Sequence, residues 1–114
     1  MLAYTVIATA RDRAAADEFI GWLAHPDGSG HARDVVDAGA SSAEVVRLDT
    51  EPSGEVRVEV RYLFVDRAAF DAYAAGPATA LREEGLKKFP PGSPITLART
   101  VGERVARIGG GPSG

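Results

Sequence analysis

The segment EVRVEVRYLFV, Glu55–Val65, decides how this chain folds. Val56, Val58, Val60, Tyr62 and Phe64 alternate with Glu55, Arg57, Glu59 and Arg61, the period-two pattern of a strand with one apolar and one charged face. Such a strand belongs to a sheet that is covered on one side. Just before it, Glu51-Pro52-Ser53-Gly54 supplies turn chemistry and Ala43–Asp49 is a second strand-like run, so the two runs form a hairpin. Just after it, Asp66 caps a helix that carries Phe70 and Tyr73 at helical spacing. Gly76-Pro77 breaks that helix and restarts it as a second piece, with Pro77 in the first turn. Ala78, Leu81 and Phe89 lie close to one stripe of this piece, with Leu86 at its edge, and Pro90-Pro91-Gly92 ends it.

Toward the N-terminus, Leu2–Thr9 reads as a strand with Tyr4, Val6 and Ala8 on one face and Ala3, Thr5, Ile7 and Thr9 on the other, both largely covered. Asp12 is the N-cap of a helix in which Ala16, Phe19, Ile20 and Leu23 form the apolar stripe and Ala15 and Trp22 widen it. Pro26 and Gly28 stop it. A shorter helix runs from His31 to Ala38, with Val35 and Val36 as its buried edge and Gly39 as a left-handed C-cap. Ile95–Val101 is a fourth strand. The order βαββαβ, with one extra short helix and the second helix broken, predicts an α+β chain of ferredoxin-like split βαβ topology, a four-stranded antiparallel sheet with helices on one face. Residues 1–105 form this domain, and 106–114, ending in Gly109–Gly114, form a flexible glycine-rich tail.

Composition narrows the function. A chain of 114 residues holds one core and leaves much apolar surface uncovered, which self-association would bury. A net charge of −3 gives no reason to expect nucleic acid or an anionic membrane as partner. The absence of cysteine excludes disulfides, thiolate metal sites and a cysteine nucleophile, and it fits a cytoplasmic protein. The first residues, MLAYTVIATARDR, read as a strand and not as a signal peptide or membrane span. The strand arginines Arg47, Arg57, Arg61 and Arg99 are interleaved with Glu44, Asp49, Glu55 and Glu59. This pattern fits a solvated face, an interface with a symmetry mate or an anion site.

Trp22–Ala40 holds the only tryptophan and both histidines. Trp22-Leu23, His31, Asp34-Val35-Val36 and Ala38-Gly39-Ala40 resemble a small bacterial family of dimeric α+β barrel proteins catalogued as a domain of unknown function. The strand end Val60–Phe64, the helix Ala80–Phe89 and the closing Ala98–Glu103 are similar to it in type and order. The likeness spans residues 1–105, and Gly85 stands where similar sequences often carry histidine or another polar residue. The resemblance implies a homodimer in which two sheets face each other as a barrel. The wider superfamily includes cofactor-free monooxygenases, small-ring isomerases, polyketide cyclases and haem-degrading enzymes. In many of these the pocket lies between one monomer's sheet and its helices, where the apolar face of the third strand, with Tyr62 and Phe64, would line it.

His31 is the residue near such a pocket whose unperturbed pKa suits a general base near neutral pH; its plainer role is a helix-start residue bonded to loop backbone or solvent. Asp34, three residues on, either orients the imidazole or is a surface partner. Trp22 either stacks on an aromatic ligand or belongs to core or interface. Tyr62 and Tyr4 from the sheet, and Tyr73 from the broken helix, either donate a hydrogen bond to a carbonyl or enolate or fill the core with the hydroxyl at its rim. His25 and His31 lack a third ligand, so no zinc site is expected, and no cofactor is called for, with haem on His31 a lesser alternative. Gly28-Ser29-Gly30 follows no strand, and Ser41-Ser42 is not a nucleophile elbow. Two functions remain. One is cofactor-free binding or transformation of an apolar or aromatic small molecule, with His31 as general base. The other is a non-catalytic dimeric structural or protein-interaction module. They differ in whether the space between the third strand and the helices is hollow.

Overall fold

The computed structural model describes residues 1–110, which form one antiparallel sheet and four helices. In chain order the elements are β1 (Leu2–Ala10), α1 (Arg13–Leu23), α2 (His31–Asp37), β2 (Ser42–Arg47), β3 (Val56–Phe64), α3 (Arg67–Ala75), α4 (Ala78–Lys88) and β4 (Ile95–Glu103). The strands lie in the order β2-β3-β1-β4, and each neighbouring pair is antiparallel. β3 thus separates the parallel pair β1 and β2, and β1 separates β3 and β4, as the split βαβ topology requires. The expected hairpin is β2 with β3, its turn closed by the Glu51 N–H on the Glu55 carbonyl at 2.8 Å.

Register fixes which side chains share a face. Tyr4 stands opposite Tyr62 and Val101, Val6 opposite Val60 and Arg99, and Ala8 opposite Val58 and Leu97. Every buried strand residue belongs to this one face, including Val56, Val58, Val60 and Phe64, each 0% exposed. Full burial of a side chain of this size stabilises the fold by roughly 1.5–3 kcal/mol. The helices cover it: α1 buries Ala15, Ala16, Phe19 and Leu23, and α3 buries Phe70 and Tyr73. Both helices start where expected, since the Ala15 N–H donates to Asp12 Oδ1 and the Ala69 N–H to Asp66 Oδ1, each at 2.8 Å. The break at Gly76-Pro77 separates α3 from α4.

Two expectations change, for β1 and β4, and the faces of the strand arginines become defined. Within one chain β1 is covered on a single face, and Ala3, Thr5, Ile7 and Thr9 opposite are only half-buried. The strand arginines do not share a face: Arg57 and Arg61 look away from the helices, whereas Arg47, opposite Val58, and Arg99, opposite Val6, lie on the helix side. β4 runs two residues past Val101, because β1 offers a full ladder that pairs Gly102 with Ala3 and Glu103 with Leu2. Pairing with a neighbour overrides the poor strand propensity of glycine here. Residues 104–110 carry no regular secondary structure, and the last four residues of the expected tail, 111–114, lie outside the described residues. No helix among the described residues is long and apolar enough to cross a membrane.

Candidate functional site

The link between α1 and α2 is built to place His31. The Asp27 carboxylate accepts from the Ser29 N–H at 2.9 Å and from its hydroxyl at 2.6 Å, and the His25 N–H donates to the Ser29 carbonyl at 2.8 Å, folding the loop on itself. Gly30 then returns the chain against the end of α1 with φ +125°, and a Cβ there would sit 2.4 Å from the Leu23 carbonyl oxygen. Glycine alone fits this approach. The next residue, His31, lies flat on Trp22, with ring centroids 4.2 Å apart and planes at 18°.

Behind this pair is a cavity of about 350 Å³ between the sheet and the helices. Its floor is Tyr4, Val6, Val60, Tyr62 and Leu97, with the exposed Arg99 at its rim. Its walls are Phe19 and Trp22 of α1, His31 and Val35 of α2, Tyr73 of α3, and Leu81, Arg82 and Gly85 of α4, with Phe89 and Pro90-Pro91-Gly92 closing one side. Gly85 leaves space over the tryptophan, since a Cβ there would meet Trp22 Cη2 at 3.5 Å. The volume falls in the range of small-molecule sites, and the lining is largely aromatic and aliphatic with few polar groups.

Among these, His31, Tyr62 and Tyr73 are perturbed. Burial lowers the His31 pKa below 6.5 and Arg99 adds to the lowering, against opposing pulls from Glu84 and Asp34. Its Nδ1 is buried with no hydrogen-bond partner among the described residues, 3.9 Å from a Glu84 carboxylate oxygen, so it makes a charge contact only when protonated. Burial raises the Tyr62 pKa strongly, with Tyr73 and Tyr4 adding to it, so this hydroxyl stays a neutral donor. Burial also raises Tyr73, with Tyr4 adding and Arg82 and Arg99 opposing. The Arg99 Nε–H donates to the Tyr4 hydroxyl at 3.1 Å.

Of the residues singled out from sequence, His31, Tyr62, Trp22, Tyr4 and Tyr73 all line the cavity. Asp34 and Phe64 do not. Asp34 is exposed, because Ala32 and Val35 turn the buried side of α2 away from it. Phe64 lies beyond the cavity, packed edge-on against Phe70 at 5.3 Å and tilted against Tyr73 at 5.2 Å. The residues that sequence reading missed as site residues are Arg99, Arg82 and Phe89. Arg99 was legible only as one strand arginine among four, its face undefined until β4 is registered on β1.

The architecture defines a ferredoxin-like α+β protein with a pocket between sheet and helices, and comparison with solved structures agrees on the fold. Over 94% of this chain and 97% of the other, it is similar to a dimeric ferredoxin-like protein from an uncultured marine organism, with a TM-score of 0.67 and 16% identity. Over 97% of this chain and the whole of the other, it is similar to HapK from Hahella chejuensis, with a TM-score of 0.58 and 22% identity. No family model and no curated protein matches the sequence.

Proposed function

We propose that the cavity binds one small apolar or aromatic molecule per chain, and that His31 moves a proton on it without a cofactor. The observation that supports this most is the hollow itself. A module whose core served only for folding would close about 350 Å³ with side chains, whereas here aromatic walls surround space reached by His31 and Tyr62. A neutral imidazole stacked on Trp22 is in the form that accepts a proton, and Tyr62 is in the form that donates a hydrogen bond to a developing oxyanion. Trp22, Tyr4 and Tyr73 hold the ring of the ligand. Asp34 acts on His31 through charge alone, and Phe64 supports Tyr73 from behind.

The working unit in this proposal is a homodimer formed through the sheet face that the helices leave bare. Ala3, Ile7, Val46 and Leu63 are half-buried there, and the charges among them are matched within the chain, with Arg61 3.4 Å from Glu44 and 3.1 Å from Glu59. Such a face can be covered by a second copy without stranding a charge. One of the similar solved structures is described as dimeric, which agrees with this reading.

Thermal unfolding across a panel of one- and two-ring aromatic compounds tests the binding claim. A compound that enters the cavity raises the melting temperature in proportion to its occupancy, and Tyr62→Phe lowers that rise for carbonyl-bearing compounds. A panel that leaves the melting temperature unchanged at millimolar concentration contradicts it.

A further inference from the structure

The strand arginines differ in what they are given to bind. Arg47 reaches Asp17 at 3.0 Å, Arg57 reaches Glu51 at 2.7 Å, and Arg61 lies between Glu44 and Glu59. The Arg99 side chain has no carboxylate within 4 Å among the described residues, and its one hydrogen bond there is from Nε to a hydroxyl, that of Tyr4. It nevertheless stands on the helix side of the sheet, beside Val6, at the rim of an apolar cavity. Arg82 lines the same cavity from α4 and also has no carboxylate within that distance among the described residues. Among the described residues no Asp or Glu lines the cavity, the Glu84 carboxylate standing outside it 3.9 Å from His31 Nδ1, in a chain whose acidic residues outnumber its basic ones 16 to 13. Both arginines lie close enough to oppose the burial-driven rise of the Tyr73 pKa, and Arg99 close enough to add to the lowering of His31. With Nε committed to Tyr4, the guanidinium is oriented and its two terminal nitrogens remain as a fork, the geometry that takes a carboxylate end-on.

Resting on the cavity reading above, we infer that the ligand is an aromatic or apolar carboxylate, its ring enclosed by Trp22, Phe89 and the tyrosines and its anionic group held by the fork of Arg99, with Arg82 as the second cation. Tyr4 acts as a positioning residue, fixing the direction in which Arg99 points.

Calorimetric titration of 2-naphthoate and of its uncharged analogue 2-naphthamide tests this at pH 7.5 and low salt. The acid is expected to bind at least about tenfold more tightly than the amide, with an advantage that shrinks as salt is added. In Arg99→Gln the two ligands converge on the affinity that the amide has for the unaltered protein, and Arg99→Lys recovers part of the difference. An amide that binds as tightly as the acid overturns the inference and leaves the cavity reading in place. An acid advantage that survives in a folded Arg99→Gln overturns the assignment of Arg99. Binding of neither compound at millimolar concentration overturns the cavity reading and the inference with it. The acid–amide comparison on the unaltered protein decides the matter even if the variants fail to fold.

Discussion

His31 carries most of the chemistry proposed for this chain, and its environment has a consequence for stability. Its folded-state pKa lies below the ordinary 6.5 chiefly through burial, against opposing pulls from Glu84 and Asp34 and with a smaller lowering by Arg99. The unfolded chain therefore binds more protons in that range, and the contribution of His31 to stability is fully present above pH 6.5 and is lost as the pH falls below it. Melting temperatures measured at pH 7.5, 6.5 and 5.5 should fall with pH, and His31→Gln should flatten the fall; an unchanged slope in the variant would show that the imbalance lies elsewhere. At this scale much of the cavity lining was legible, because His31, Trp22 and the tyrosines are rare residues with few places to go. Asp34 falls outside the lining because spacing along a helix sets the angle between side chains but not which angle faces the core. Arg99 could not be placed, since its neighbours on β4 are too short a pattern to define a face.

Among the elements, β3 was the most readable, its strict alternation fixing the covered face before any other strand was known. β4 was the least, because its length comes from β1 and not from its own composition. α4 shows how an element shapes the cavity: it presents Gly85 to Trp22 where another residue would fill space. An added methyl would meet Trp22 at 3.5 Å, an ordinary contact, while removing the entropic cost of glycine within a helix. Gly85→Ala should therefore stabilise the protein by about 0.5–1 kcal/mol in urea unfolding, and a loss of stability would mean that α4 cannot accept even that contact. The Gly76-Pro77 break was legible for a simple reason, as proline both lacks the donor and clashes with the preceding turn.

Across the whole molecule, the order of elements sufficed to predict the sheet topology, since few arrangements connect βαββαβ with short links. What pattern could not supply is the hollow, which depends on whether side chains of the right type also have the volume to meet. The bare sheet face sets the molecule-scale expectation. The protein should sediment as a dimer, and Ile7→Glu, which places a charge beside Glu59 and Ala98, should convert it to a folded monomer. A monomeric unaltered protein at micromolar concentration would contradict the dimer. Whether the proposed ligand occupies the space between sheet and helices is tested most directly by calorimetric titration of one aromatic ligand into the protein and into Gly85→Leu, whose side chain would occupy the cavity. One site per chain is expected in the former and none in the folded variant, whereas equal binding by both would place the ligand elsewhere and contradict a site in this cavity.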